Sequence, residues 1–429
     1  MAEINYILTM PTDNNNIKAA RNDSRDRSFL SSLMGGDNWI WGTYWILVFI
    51  SIVVSASASS TLAYKQITND NPLAKHTTYL LVGFIISTLL VQSLTRVKVS
   101  YAVLGGVLCY IGGMILMCLL PFFGHAHQGA AREIFGIQPV EILKTGTLIL
   151  LCKLITIEDS TYSRFSWFKV HTQGRRFILL LVIVGLAALP IAIQNLSSAL
   201  ILIIAAFGIM FAAQLKPKYM WKTVFWGLVA GGAMLAALGG LHMINSDKPD
   251  HRTDLGRFLN RANTWESRIF DSGSDIPLYE QRIGDKNRQV IYAHMAIANS
   301  NATGRFIGES QLRDYLPEAY SDYVYCIIFE EMGVLGGMLV MSLYFLLFIR
   351  CYFLSKQTND QLKRLLMIGL PLAIIVQALI HIGVCTDAMF VTGQPLPLIS
   401  KGGMSAVMTT VIFGILAGLS HNIKREKEA

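Results

Sequence analysis

Residues 321–350 read SDYVYCIIFEEMGVLGGMLVMSLYFLLFIR, with Asp322, Glu330, Glu331 and Arg350 as the only charges. A helix crosses the hydrocarbon core of a bilayer in about 20 residues, so this run is long and apolar enough to span it. Nine further runs have a similar character, at 41–63, 77–98, 101–123, 139–157, 176–194, 197–214, 220–244, 364–385 and 403–422. The fifth and sixth meet at Gln194-Asn195 with no loop between them, which marks the two runs as a bent helix hairpin. At 429 residues the chain has the length of about three soluble domains. Its composition argues otherwise: 53% of residues are hydrophobic and 15% charged, with mean hydropathy +0.45. Soluble domains carry about 25% charged residues. Collagen-like, disordered and disulfide-scaffold classes are excluded by the same balance. The expected fold is an all-α polytopic membrane protein with about ten transmembrane helices.

An even number of crossings places both ends of the chain on one side, and the basic residues choose the side. With the N-terminus inside, the cytoplasmic segments collect Lys18, Arg21, Arg25 and Arg27, then Arg96 and Lys98. They also take Lys153, Arg164, Lys169, Arg175 and Arg176, Lys216, Lys218 and Lys222, and the basic residues between Arg350 and Lys427. The short outer loops keep only Lys65, Lys75, Arg132 and Lys401. The orientation is therefore N-in and C-in, and it accounts for the net charge of +8 without a nucleic-acid partner. Residues 1–38 form a polar cytoplasmic tail, expected to be disordered. Residues 39–423 form the ten-helix domain, and 424–429 a short cytoplasmic tail. No short apolar core with a small-residue cleavage site opens the chain, so its first apolar run is expected to be a span. The six cysteines form no CxxC pair and lie mostly in apolar runs, where they read as small buried hydrophobes.

A large extracytoplasmic loop, 245–320, separates helices 7 and 8. Gly- and Pro-rich punctuation recurs at 124–139 and 393–403, so three irregular outer loops are expected to converge on one outward-facing site. Glu141 and Lys144 share one helical face at the start of the fourth span. Two readings stand: a mutual ion pair, or a lysine that holds an anionic headgroup and is oriented by the glutamate. Pro139 suits the first turn of that helix, which puts Arg132 near its positive end. Asp285 precedes Lys286 and Arg288, and a carboxylate flanked by cations stays ionised and can serve as a general base. Composition does not separate it from Asp271 or Asp275. Glu330 and Glu331 read as structural hydrogen-bonding groups. The run Thr392 to Gly403, with Ser400 and Lys401, makes a shaped loop able to offer backbone N–H groups to an anion. His125 and His127 lack a third ligand at matching spacing, so no metal site is expected there. Walker A and GxSxG motifs are absent from the sequence.

In order and spacing these outer-loop runs resemble the SEDS family, the shape, elongation, division and sporulation proteins of the FtsW/RodA/SpoVE group. Ser55-Ala56-Ser57, Gly129 to Arg132, Gln138 to Lys144, Leu316 to Asp322, Glu330 to Gly333 and Pro395 to Ser400 carry the resemblance, which covers nearly the whole chain after about residue 40. It implies a peptidoglycan glycosyltransferase that polymerises undecaprenyl-linked lipid II on the outer face of the cytoplasmic (inner) membrane. It further implies partnership with a class B penicillin-binding protein, an FtsI-like transpeptidase, and with other divisome proteins. No resident cofactor is implied beyond a loosely bound divalent cation, Mg2+ or Mn2+. The family places its catalytic aspartate in the long outer segment. By position ahead of Gln289 that role falls to Asp285, with Asp275 the runner-up. The implied substrate contacts are Arg132, Glu141, Lys144, Gln289, Arg305, Ser400 and Lys401.

The polar N-terminal tail and the run Arg261 to Arg268 resemble the division-type branch, notably that of Bacteroidetes, which implies action at the septum; the elongation role is the alternative. Four positions depart from the family pattern. Glu133 stands where Trp is usual, Asn195 where an acid is usual, Lys401 where Tyr is common and Arg305 where Lys is common. Glu133 and Asn195 keep open a second function, a catalytically weakened scaffold of the division machinery. A third, a lipid-linked precursor flippase, would need inverted repeats with matching broken helices, and the halves of the sequence show no such match.

Overall fold

The computed structural model describes residues 35–64, 72–96, 99–123, 125–127, 130–134, 136–157, 173–225, 284, 287–316, 320–389 and 392–428. Among them the elements are α1 (Asn38–Tyr64), α2 (Pro72–Arg96), α3 (Ser100–Phe123), β1 (His125–His127), β2 (Ala130–Glu133), α4 (Pro139–Thr156), α5 (Gln173–Gln194), α6 (Leu196–Ala212), α7 (Arg288–Ala298), α8 (Val324–Ser355), α9 (Gln361–Cys385) and α10 (Met404–Glu428). Residues 217–225 are also helical, and most of the expected seventh span lies outside the described residues.

Seven of these helices, α1, α2, α3, α5, α8, α9 and α10, are long and apolar enough to cross a membrane. The chain is a multi-pass membrane protein. Helix α4 has 18 residues but carries Glu141, Lys144 and Lys153, and α6 has only 17 residues. Helices α9 and α10 lie inside the bundle, with 72% and 83% of their spans buried, against 28% for α3. Phe49, Phe122 and Leu189 project outward, as lipid-facing side chains do. The polar α4 is enclosed because its charges need partners that lipid does not offer.

Local chemistry sets the helix starts. Pro139 opens α4, where its missing N–H costs nothing, after Gln138 in an extended conformation. Asn195, also extended, separates α5 from α6, and its Oδ1 accepts from the N–H groups of Ser197 (3.1 Å) and Ser198 (3.3 Å). The outer segment before α4, read from the sequence as irregular, contains the antiparallel hairpin β1–β2, pairing His125 with Glu133 and His127 with Ala130.

Residues 321–350 do not form one straight span. A continuous α8 of 32 residues would be about 48 Å long, well beyond the hydrocarbon core of about 30 Å. Gly333 breaks it, with φ 70° and ψ −173°. The halves fold toward each other, since Tyr325 donates its hydroxyl to the Gly337 carbonyl at 3.0 Å. In an unbroken helix those residues would stand about 18 Å apart. The segment around Gly304 docks into the break: Val334 N–H donates to Asn301 (3.1 Å), Leu335 N–H to Ala302 (3.2 Å) and Arg305 N–H to Glu330 (3.0 Å). The N–H groups freed by the break are thereby satisfied. A Cβ on Gly333 would stand 2.4 Å from the Ala302 carbonyl oxygen, and one on Gly304 would stand 2.3 Å from that of Glu331.

At the far end of the bundle Asp37 ties the start of α1 to the ends of α8 and α10. Its carboxylate accepts from Arg350 Nε (3.0 Å) and Nη2 (2.7 Å), pairs with Lys424 Nζ (3.1 Å) and caps α1 through Trp39 N–H (3.0 Å). The start of α1 and the end of α10 therefore share one end of the bundle. Burial alone would raise the Asp37 pKa, but the hydrogen bonds and charges of Arg350 and Lys424 outweigh it and hold the pKa below the ordinary aspartate value.

Two expectations follow from these contacts. Gly333→Ala should lose roughly 2 kcal/mol or more of stability, because the backbone there suits only glycine, and a thermal melt in detergent reads the loss. Asp37 has a depressed folded pKa, so its stabilisation is complete above the unfolded aspartate value and disappears as pH falls through the folded one. Wild type should therefore lose melting temperature below about pH 4, and Asp37→Asn, less stable at neutral pH, should show a shallower acid slope.

Candidate active site

The site is built on the charged first turns of α4. Lys144 Nζ lies 3.0 and 2.9 Å from the two Glu141 carboxylate oxygens and donates to Gln377 Oε1 on α9 at 2.8 Å. Both members of the ion pair are buried. Gln377 passes the connection on, its Nε2 donating to the Pro395 carbonyl at 3.0 Å. The chain Glu141–Lys144–Gln377–Pro395 thus fixes the irregular loop 392–403 against the inner helices. A neutral hydrogen-bonding partner and an i,i+3 carboxylate are what a buried ammonium requires.

Further bonds shape that loop. Ser400 Oγ donates to the Ser321 carbonyl (2.7 Å) and accepts from Leu396 N–H (2.7 Å). Lys401 N–H donates to the Tyr320 carbonyl (3.0 Å), and its ammonium lies 4.8 Å from the centre of the Tyr320 ring. Ser51 on α1 donates to the Leu398 carbonyl (2.8 Å), and Tyr344 on α8 to that of Pro397 (2.6 Å). The loop and the turn before α8 are consequently one rigid unit.

Between this unit and the starts of α4 and α6 lies a cavity of about 130 Å³. Gln138, Glu141, Gln194, Asn195, Ser198, Asp322, Gln394 and Lys401 contribute its polar lining. Gln138 and Asn195 are the N-cap residues of α4 and α6, so two helix N-termini open on it, and such ends favour negative charge. Glu141 is committed to Lys144. Asp322, half-buried at the head of α8, accepts from the Ser321 hydroxyl at 3.0 Å and brings a second carboxylate. One cavity thus holds a carboxylate able to take a proton, an ammonium and two helix N-termini.

Of the residues expected from the sequence to touch substrate, Glu141 and Lys401 line this cavity. Lys144 sits behind Glu141, bonded on both sides, and Ser400 spends its hydroxyl on the loop. Gln289 lies in the first turn of α7, and Arg305 sits at the α8 break, its N–H on Glu330. Asp275, Asp285 and the side chain of Arg132 lie outside the described residues. Glu330 and Glu331 are buried hydrogen-bonding groups. Glu330 accepts from Ser310 Oγ (2.5 Å) and Gln311 N–H (3.0 Å), and Glu331 accepts from Ser57 Oγ beside Arg313. Glu133 accepts from Gln138 Nε2 at 2.9 Å. Asp322, which lines the cavity, was given no site role from the sequence, although it ends the quoted run Leu316 to Asp322 directly ahead of an apolar helix.

A multi-pass helical bundle whose irregular loops and helix starts enclose a charged cavity defines a membrane-embedded protein with a polar site. Residues 37–425 match the cell cycle protein family of FtsW, RodA and SpoVE, and the chain belongs to that family. It is 26% identical over 384 residues to the probable peptidoglycan glycosyltransferase FtsW of Geobacter sulfurreducens, covering 88% of this chain and 93% of that protein. To the peptidoglycan glycosyltransferase MrdB of Helicobacter pylori it is 26% identical over 401 residues, covering 90% and 92%. Its fold is similar to a chain from a peptidoglycan synthase complex that coordinates polymerization and crosslinking, with TM-score 0.60 at 19% identity over 91% of this chain and 99% of that one. The rod shape determining protein RodA of Thermus thermophilus gives 0.58 at 19% identity, covering 91% and 97%.

Breaking the buried ion pair tests this construction. Lys144→Met leaves Glu141 charged and unpaired and should cost about 3–5 kcal/mol. The double variant Glu141→Gln/Lys144→Met should recover most of that loss in the same melting experiment.

Proposed function

We propose that this protein is a peptidoglycan glycosyltransferase that polymerises lipid II on the outer face of the cytoplasmic membrane, with its active site in the Asp322–Lys401 cavity. The observation that carries the reading is the meeting of a carboxylate, an ammonium and two helix N-termini in one cavity at the outer loops. Asp322 takes the proton of the acceptor sugar hydroxyl as its oxygen bonds to the anomeric carbon of the donor. The bond from that carbon to the lipid diphosphate breaks, and the electron pair leaves with the diphosphate. The negative charge gathered there is met by Lys401 and by the N-termini of α4 and α6. General-base assistance of this kind contributes about 10²–10⁴-fold.

Among the described residues no group of three or more His, Cys, Asp or Glu side chains is placed to hold a metal ion. A loosely bound Mg2+ or Mn2+ ion would be held by the diphosphate oxygens of the substrate. We further propose that the chain works with a class B penicillin-binding protein at the septum, a reading supported by the FtsW relatives and the synthase-complex fold. The meeting of Asp322 and Lys401 in one cavity favours the enzyme over a scaffold. Asn195 keeps a helix-capping role that does not need the acid's charge.

A lipid II polymerisation assay with the cognate class B partner tests the proposal. Asp322→Ala should slow polymer formation at least about 10²-fold in folded protein, while Asp285→Ala and Asp275→Ala stay within a few-fold of wild type. Loss confined to Asp285→Ala or Asp275→Ala would move the base into the long outer segment. A wild type that makes no polymer, where an active relative does, would return the scaffold.

A further inference from the structure

Three glutamines, Gln138, Gln194 and Gln394, line the active-site cavity and a fourth, Gln377, stands behind it, and their amide groups are used differently: Gln138 donates its Nε2 to Glu133 at 2.9 Å. Gln377, 4% exposed, has both ends engaged: Oε1 accepts from Lys144 and Nε2 donates to the Pro395 carbonyl. That side chain is a structural strut. Gln394, 2% exposed, is held as firmly but only from one side. Its Nε2 donates to Ser198 Oγ on α6 at 2.9 Å, and its backbone carbonyl accepts from His381 Nδ1 on α9 at 2.7 Å. Its Oε1 is buried with no partner. At the end of α5, Gln194 Oε1 is likewise buried without a partner. Both residues line the cavity that also holds Asp322.

A buried amide oxygen left without a donor loses its hydration with nothing in return, so native proteins seldom leave one unless a ligand or water completes it. Here the two glutamines that carry such oxygens line one cavity, and Gln394 is fixed by α6 through its side-chain nitrogen and by α9 through its backbone carbonyl. Acceptors so placed call for a ligand that donates. A diphosphate offers only acceptor oxygens at neutral pH and belongs with Lys401 and the helix N-termini. A metal ion is the poorer match, because Lys401 shares the cavity and the charge of Glu141 is already matched by Lys144. Sugar hydroxyl and acetamido N–H groups have the required chemistry.

We propose that Gln394, assisted by Gln194, is a recognition site for the amino sugar of the substrate, its free amide oxygen accepting from a hydroxyl or acetamido N–H while Lys401 holds the diphosphate. The inference rests on the glycosyltransferase reading above. It divides the cavity into a donor-reading end at Gln394 and an anion-reading end at Lys401.

The test compares binding of lipid II and of undecaprenyl diphosphate, which lacks the sugar, to the full chain in detergent with its class B partner. For Gln394→Met and, separately, Gln194→Met, lipid II affinity should fall roughly five- to tenfold, the loss of one hydrogen bond in a buried site, with diphosphate affinity unchanged. Gln394→Glu, which keeps an acceptor oxygen, should retain more of the preference for lipid II than Gln394→Met. Lys401→Met should weaken both ligands. Equal weakening of both ligands by the two glutamine variants would make them structural and overturn the proposal. No change in either ligand would mean that water alone completes these oxygens, which also overturns it. A loss that vanishes on adding EDTA would assign the oxygens to a metal ion instead. Polymerisation by the wild type is scored in parallel. Its absence removes the glycosyltransferase reading, whereas polymerisation with unaltered ligand selectivity in the variants removes only the inference about Gln394 and Gln194.

Discussion

An ammonium buried in a helical bundle must be matched by nearby polar atoms, because neither lipid nor packed side chains will solvate it. Lys144 meets this requirement with Glu141 one turn away and Gln377 across the helix interface. Gln377 then has a free amide nitrogen, which the Pro395 carbonyl accepts. Three inner elements are locked by that sequence of needs: the charged start of α4, the middle of α9 and the loop before α10. Everything the cavity presents is referenced to this lock. Lys401 takes its place from a loop held at Pro395, at Ser400 and at Leu398, and Asp322 takes its place from a turn bonded to the same loop.

The bundle divides its polar chemistry by location. At the end shared by the start of α1 and the end of α10, Asp37, Arg350 and Lys424 make a closed cluster that joins three helices. At the α8 break, Glu330, Glu331, Ser57, Ser310 and Arg313 are linked to one another and seat the segment around Gly304 on Gly333, with Glu331 Oε2 and Arg313 Nε left without a hydrogen-bond partner. The cavity differs from both in its composition: beside Gln194 and Gln394, whose amide oxygens the protein does not complete, its lining brings together the Asp322 carboxylate and the Lys401 ammonium.

Much of this was legible in the sequence. The apolar runs gave the helices, because only a continuous apolar run of sufficient length can lie in hydrocarbon. Pro139 and the Gln194–Asn195 pair marked helix starts that the structure keeps within a residue. The shared face of Glu141 and Lys144 allowed the ion pair that the structure shows as one of two readings, and the prolines and glycines of 392–403 foretold a shaped loop. The break at Gly333 was hidden, since a single glycine in an apolar run is a weak signal and its cause is a distant segment around Gly304. Sequence also cannot show which way a hydroxyl turns. Ser400 belongs to a run of family character, yet its side chain is consumed by two backbone groups. The place of Asp322 was hidden for a related reason: no flanking cation marks it, and the residues that line the cavity with it come from α4, α6 and the loop before α10, while Asp285 lies outside the described residues.

The most direct measurement of the central claim, that the Asp322–Lys401 cavity is where the headgroup is processed, is a cryo-EM reconstruction of the chain with its class B partner and lipid II. The account requires the diphosphate against Lys401 and a sugar hydroxyl within about 3 Å of the Asp322 carboxylate. A headgroup bound instead among residues 245–285, with this cavity empty, would contradict it.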